Sequence, residues 1–112
     1  MIEKAELSLL LDYYGAFLTE KQRLILSYSA ELDMSLREIA NEVGVSRQGV
    51  RDHLNKAEHQ LVECELRLGL AAKDKKLRAI AASLEGALGS QSPDRIRSAA
   101  ASAADDIRSL IR

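Results

Sequence analysis

The sequence predicts an all-α protein, a helix-turn-helix bundle with a long recognition helix and a C-terminal helical extension. Its 112 residues include one Pro and six Gly and are 46% hydrophobic, which favours helices with few breaks over a sheet with many turns. Apolar residues recur every three or four positions along most of the chain, as they do on one face of a helix. A chain of this length holds one core but not two independent ones.

The first two helices are predicted on either side of Gly15. The first runs from Glu3 to Tyr14 and places its apolar residues at spacings of three and four. The second begins at Thr19, whose hydroxyl can cap the free amides while Gln22 reaches back to the cap residue. It runs to about Glu31. We expect Leu18, just before the cap, to pack on Leu24 of the next turn.

The third and fourth helices are also predicted from their caps. Ser35 begins the third, with Glu38 completing a second capping box, and Gly44 ends it because glycine readily adopts a left-handed conformation. Ser46 caps the fourth, which we expect to reach about Leu70. Its predicted apolar seam alternates spacings of four and three: Val50, Leu54, Ala57, Leu61, Cys64 and Leu68. A second stripe on the same helix consists of Val62, Leu66 and Leu70.

The C-terminal extension is predicted to contain two further helices. The first spans residues 71–89, with Leu77, Ile80, Leu84 and Leu88 on one side. Ser92, followed by Pro93 and Asp94, is a helix start, with Pro at the first helical position. We expect the last helix to turn these residues inward: Ile96, Ala99, Ala103, Ile107, Leu110 and Ile111. The predicted domains are thus a helix-turn-helix domain over 1–70 and an extension over 71–112, packed on the same or a partner domain.

Residues 36–54 have the pattern of a helix-turn-helix, in which two short helices are joined by a tight turn containing glycine. Ala40 is small where the two helices cross, and Gly44 permits the turn. The other positions that we expect to face inward carry apolar side chains of suitable size: Ile39, Val43, Val45 and Val50.

With those positions inward, the outward side chains of the fourth helix are Arg47, Gln48, Arg51, Asp52, Asn55 and Glu58. Arginine, glutamine and asparagine can hydrogen-bond base edges or phosphates, and exposed amides at helix N-termini favour phosphate. The candidate nucleic-acid-binding residues are therefore Ser35, Arg37, Ser46, Arg47, Gln48, Arg51, Asn55 and Lys56. The alternative is a solvated helix face without a ligand, and Asp52 and Glu58 favour that alternative.

The residue pattern indicates neither catalysis nor a cofactor. His53 and His59 are six residues apart, with no partner at metal-ligand spacing, so we expect no metal site. Cys64 lies on the apolar seam, as expected of a packed thiol rather than a nucleophile. There is no Gly-rich phosphate loop. We expect the four aromatic side chains to be core residues rather than base-stacking ones: Tyr13, Tyr14, Phe17 and Tyr28.

Charge and cysteine content restrict the environment and the partners. The formal net charge is −1, which argues against indiscriminate coating of nucleic acid. Residues 1–70 carry eight basic and twelve acidic side chains, and residues 71–112 carry eight and five, so the basic tail is an alternative RNA contact. A lone cysteine, the lack of a signal-peptide pattern and the lack of a long apolar segment predict a cytoplasmic protein without membrane insertion.

Three runs of residues carry a resemblance to a known family. They are Tyr14 through Gln22 (YGAFLTEKQ), Ser35 through Ala40 (SLREIA) and Val45 through Val50 (VSRQGV), accompanied by Asp52, Leu54 and Glu58. Over residues 5–70 the chain resembles the YlxM family, bacterial proteins similar to region 4 of sigma factors without the rest of the factor. His53 is polar where the sigma pattern is apolar, which suits the YlxM pattern better.

The resemblance implies a regulatory or accessory role in the signal recognition particle pathway. The implied partners are the particle's RNA, its GTPase subunit, or both. Two alternatives stay open: a DNA-binding transcriptional regulator of the sigma region 4 type, and a protein-interaction scaffold that binds no nucleic acid. Since a chain of this size has few elements to cover two apolar stripes, we also expect a homodimer.

Overall fold

The computed structural model describes residues 2–111, and all regular secondary structure in that part of the chain is helical, as predicted. The helices are α1 (Lys4–Tyr14), a 3-10 turn (Gly15–Phe17), α2 (Glu20–Ala30), α3 (Leu36–Val43), α4 (Arg47–Leu68), α5 (Leu70–Ser90) and α6 (Pro93–Leu110). The chain divides into two compact units, an N-terminal unit that ends at Ala71 and a C-terminal unit that begins at Ala72. Within residues 2–111, no helix has the length and apolar character needed to cross a bilayer.

Both predicted capping boxes are present. The Thr19 hydroxyl accepts the Gln22 amide at 3.1 Å, and the Gln22 side-chain oxygen accepts the Thr19 amide at 3.1 Å. At the start of α3, Ser35 and Glu38 exchange the same pair of bonds at 3.0 and 3.1 Å. Each box satisfies two amides that a helix N-terminus would otherwise leave unpaired, so both helix starts are determined locally.

The larger of two apolar clusters joins α1, α2 and α4. Its buried members are Leu7, Leu10, Leu11, Tyr14, Leu18, Leu26, Ala57, Leu61 and Ala71. Each fully buried leucine contributes about 1.5–3 kcal/mol relative to an exposed one, so this cluster supplies much of the stability of the N-terminal unit. The expected contact of Leu18 with Leu24 gains no support, because Leu18 is buried in this cluster whereas Leu24 is 44% exposed.

The smaller cluster holds the helix-turn-helix together. Its buried members are Ile25, Ile39, Ala40 and Val50, drawn from α2, α3 and α4. Leu54 packs against both clusters. The 22 residues of α4 span about 33 Å, so one rigid helix carries the recognition positions at its first turns and the centre of the larger cluster further along.

A polar contact ties the end of α1 to the start of α5. The Tyr14 hydroxyl donates to Glu65 Oε1 at 2.6 Å and accepts the Leu70 amide at 2.9 Å. The same Glu65 oxygen accepts the Ala71 amide at 3.0 Å. Between the two helices Gly69 has a φ of 63°, a left-handed conformation that costs glycine little. We call Tyr14, Glu65 and the amides of Leu70 and Ala71 the α5 clasp.

The C-terminal unit contains most of α5 and all of α6, and Ser92 caps α6 at the predicted position. Ile80, Ala87 and Ala103 are buried. The prediction that all the apolar residues of the last helix face inward was wrong, because Ile107 and Ile111 are 40% and 69% exposed. On the apolar side of α5, Leu77 and Leu88 are 45% and 62% exposed. Helical spacing identifies an apolar face but not how much of that face a neighbouring element covers.

One further expectation about apolar residues was also wrong. Phe17 is not a core residue but is 61% exposed at the end of the 3-10 turn. At the end of α4, Leu68 of the apolar seam and Leu66 of the second stripe are 52% and 77% exposed, so the core does not cover the last turn of either stripe.

Candidate nucleic-acid interface

The turn of the helix-turn-helix is built on Gly44. Its φ of 78° places it in the left-handed region, where a side chain would strain the backbone. The Ala40 carbonyl accepts the amides of Gly44 and Val45 at 2.9 and 3.2 Å, which closes α3. Ile39, Ala40 and Val50 are buried between the helices, as predicted. The orientation of α4 relative to α3 is therefore fixed by both backbone bonds and packing.

The N-terminus of α4 differs electrostatically from those of α2 and α3. The Ser46 hydroxyl accepts the Gly49 amide at 2.9 Å, but the first turn contains no acidic residue. In α2 and α3 that turn contains Glu20 and Glu38, respectively. Because the positive end of the helix dipole lacks a carboxylate here, it can attract an anion from outside the chain.

Three of the predicted residues meet in one cleft beside the turn. Arg37 of α3, Ser46 of the turn and Arg47 of α4 line it together with Ala40, Asn41 and Val45. Within residues 2–111, neither arginine side chain forms a hydrogen bond or an ion pair. Two guanidinium groups, a hydroxyl and a helix N-terminus form a suitable environment for a phosphate.

The remaining predicted residues lie further along α4. Arg51, Asn55 and Lys56 are all exposed, and within residues 2–111 none of them forms an ion pair or a side-chain hydrogen bond. Gln48 is exposed too, but its amide nitrogen donates to Asp52 Oδ1 at 3.1 Å. The Gln48–Asp52 bond is one that a ligand would have to break or extend.

Ser35 and Glu58 each form contacts within the chain. Ser35 caps α3, where Glu38 occupies its amide and its hydroxyl. The hydrogen bonds from the Ser35 amide and hydroxyl lower the pKa of Glu38, which keeps a negative charge at that helix end. The prediction that Glu58 points outward was wrong, since Glu58 is half-buried and accepts the Ile2 amide at 3.3 Å. Asp52 is thus left as the one acidic member of the predicted outward set on α4.

Asn41 was missed by the sequence reasoning, although it lines the cleft with Arg37 and Arg47. It stands four residues after Arg37 on α3, so i,i+4 spacing could have placed it on the same face. Cys64 is half-buried against the larger cluster, as a packed thiol would be. Within residues 2–111, no three histidine, cysteine or carboxylate side chains are grouped to hold a metal ion.

Comparison with known proteins agrees with the helix-turn-helix. A family model described as "UPF0122: Putative helix-turn-helix protein, YlxM / p13 like" matches residues 1–98. A UPF0122 protein of Shouchella clausii is 42% identical over 91 residues, 80% of this chain and 84% of that protein. A UPF0122 protein of Halalkalibacterium halodurans is 41% identical over 92 residues, 81% and 84% of the two chains. The family match extends past residue 70, where the resemblance seen in the sequence ended, and includes α5 and the first turns of α6.

Proposed function

This chain belongs to the UPF0122 family of YlxM / p13-like helix-turn-helix proteins, and we propose that it acts in the signal recognition particle pathway as a non-enzymatic regulator or accessory protein. It would contact the particle's RNA, its GTPase subunit or both through the helix-turn-helix domain. The pathway is inferred from the resemblance to the YlxM family, and the cytoplasm, where that particle works, is the proposed location.

One observation supports an RNA contact most directly. Arg47, Arg51 and Lys56 are exposed along α4 without an ionic partner in residues 2–111, and Arg37 joins Arg47 in the cleft at the turn. Arg47 and Arg51 are four residues apart and share one face of α4, so they can contact neighbouring phosphates of one strand, and each ionic contact releases counterions. The acidic charge of the rest of the domain limits such binding to this face.

A titration tests the proposal. Labelled signal-recognition-particle RNA and duplex DNA of matched length would be titrated with the protein at two salt concentrations. The double variant Arg47→Glu/Arg51→Glu should weaken RNA binding by about a hundredfold or more, because charge-assisted contacts contribute ~1.5–3 kcal/mol each. It should also make the salt dependence shallower.

The matched control is Arg95→Glu/Arg97→Glu, which reverses two exposed arginines of α6 with the same change in net charge. We expect this control to bind RNA as the unchanged protein does. Loss of binding in the control rather than in the α4 variant would move the RNA contact to the basic tail. Preference for duplex DNA would favour the transcriptional regulator, and binding to neither nucleic acid would leave the GTPase subunit as the partner and the domain as a scaffold.

We also propose a homodimer, which the exposed apolar residues of α4, α5 and α6 support. Leu66, Leu88 and Ile111 are each more than 60% exposed. A second copy could cover these side chains, and a DNA-binding dimer would place two half-sites about 34 Å apart. Sedimentation equilibrium should show a dimer at micromolar concentration, and a monomer at high micromolar concentration would exclude it.

A further inference from the structure

Phe17, the one phenylalanine of the chain, lies exposed at the end of the 3-10 turn. It is 61% exposed, whereas its neighbour Leu18 is 7% exposed and packs in the larger cluster. The Leu18 amide donates to the Gly15 carbonyl at 3.1 Å, and the capping box at Thr19 follows at once. The ring is therefore presented from a short segment anchored on both sides.

The surroundings of Phe17 are polar, without a carboxylate. The ring lines one groove with Gln22 of α2 and with Asn55, Lys56, His59 and Gln60 of α4. Gln22 is oriented there by its capping bond, in which its side-chain oxygen accepts the Thr19 amide and its NH2 group remains available to a ligand. An aromatic face, three carboxamides, an imidazole and an ammonium group thus meet at one place on the surface.

This combination has the chemistry needed to bind an unpaired nucleobase. An aromatic ring can stack on the face of any base, carboxamides can pair with its edge, and a lysine can bind the adjoining phosphate. A base within a duplex is already stacked on both faces, so it cannot use the Phe17 ring. The groove is therefore suited to bulged, looped or single-stranded nucleotides.

The groove continues the cationic row of α4. Asn55 follows Arg51 by one helical turn, about 6 Å along the axis, and His59 follows by another. From this juxtaposition we propose that Phe17 and the α4 side chains beside it bind one unpaired nucleobase of an RNA whose adjoining paired segment lies against Arg47 and Arg51. This inference rests on the RNA contact proposed above and identifies the RNA feature that the domain selects.

The experiment compares two RNAs that differ by one nucleotide. One is a perfect duplex and the other is the same duplex with a single 2-aminopurine bulge, whose fluorescence reports stacking. The unchanged protein should bind the bulged RNA more tightly and alter its fluorescence. Phe17→Ala should weaken binding of the bulged RNA by about 5- to 150-fold, the range expected for one stacked base, and leave the perfect duplex unaffected.

Two further variants separate stacking from general effects. Phe17→Trp keeps an aromatic face and should retain the preference for the bulged RNA. Leu32→Ala removes an equally exposed apolar side chain (63%) away from the groove and should change neither affinity. Equal affinity of the unchanged protein for the two RNAs, or an equal effect of Phe17→Ala on both, overturns the inference alone. Absence of binding to either RNA overturns the proposed RNA contact and the inference with it.

Discussion

Replacing Tyr14 with phenylalanine removes one oxygen atom and should detach the first turn of α5. The Tyr14 hydroxyl, on α1, donates to Glu65 of α4 and accepts the Leu70 amide of α5, so it links α1 to both helices. The ring itself is fully buried, so phenylalanine can keep the packing of the larger cluster. The variant therefore isolates the α5 clasp from the apolar core.

The expected cost follows from the two lost bonds. A hydrogen bond to a charged group contributes about 1.5–3 kcal/mol and one between neutral groups about 0.5–1.5 kcal/mol. Both bonds are only partly buried, so water can replace some of each. We expect a loss of ~2 kcal/mol in the free energy of unfolding, which corresponds to roughly 8–16 °C in Tm for a domain of this size.

Thermal unfolding gives the global value, and hydrogen exchange at the amides of Leu70 and Ala71 gives the local one. Tyr28→Phe is the matched control, because Tyr28 is half-buried and its hydroxyl has no hydrogen-bond partner within residues 2–111. Tyr14→Phe should expose both amides to faster exchange, whereas Tyr28→Phe should leave them protected. Equal Tm values for the two variants, with unchanged exchange at Leu70 and Ala71, would refute the reasoning.

Three other predictions concern the same unit and the helix beyond it. Gly44→Ala should destabilise by about 1–2 kcal/mol because of the left-handed backbone at Gly44, whereas Gly86→Ala, within α5 and with open space around it, should stabilise by about 0.5–1 kcal/mol. A urea midpoint that rises in Gly44→Ala would contradict the first prediction, and one that falls in Gly86→Ala would contradict the second. Ile39→Ala should cost ~2–5 kcal/mol, since Ile39 is fully buried between α2, α3 and α4, and circular dichroism at rising urea measures that loss. Burial, and then the hydrogen bond to Glu65, raises the pKa of Tyr14 above its ordinary value of 10.0. As the pH rises, the unfolded chain therefore loses the Tyr14 proton before the folded chain does. The free energy of unfolding should fall as the pH rises above about 10. The fall should be shallower in Tyr14→Phe, and equal slopes between pH 9 and 11 would exclude Tyr14 as a source.

The helix starts and the turn could be predicted because their causes are local. A capping box needs only Thr19 and Gln22, three residues apart, and the left-handed turn needs only Gly44 in its place. The long recognition helix was predicted for the same reason, from Ser46 and the seam that follows. The structure confirms the all-helical architecture, and the family match confirms the family.

The positions of individual side chains in the candidate site depend on distant parts of the chain. Glu58 looks outward on a helical wheel, but the Ile2 amide, 56 residues earlier, draws it into a partly buried contact. Tyr14 and Glu65 are 51 residues apart, and no periodic pattern relates them. Phe17 looked like a core residue by type, yet the adjacent Leu18 is the one that packs in the cluster, and Phe17 is exposed. Spacing within one helix contains no information on such contacts.

The central position of α4 in both clusters has a consequence for synthesis of the chain. Ala57 and Leu61, which cover the apolar face of α1, are made more than forty residues after Tyr14. At a translation rate of about 5–20 residues per second, the part of that face that α4 covers stays open for roughly 2–10 s. A nascent chain that ends just after Gly44 contains α1, α2 and α3. It lacks α4, the helix on which those three pack. Folding of the domain therefore waits for α4, and a ribosome that stalls before Leu61 would leave α1 and α2 open to chaperones or to aggregation.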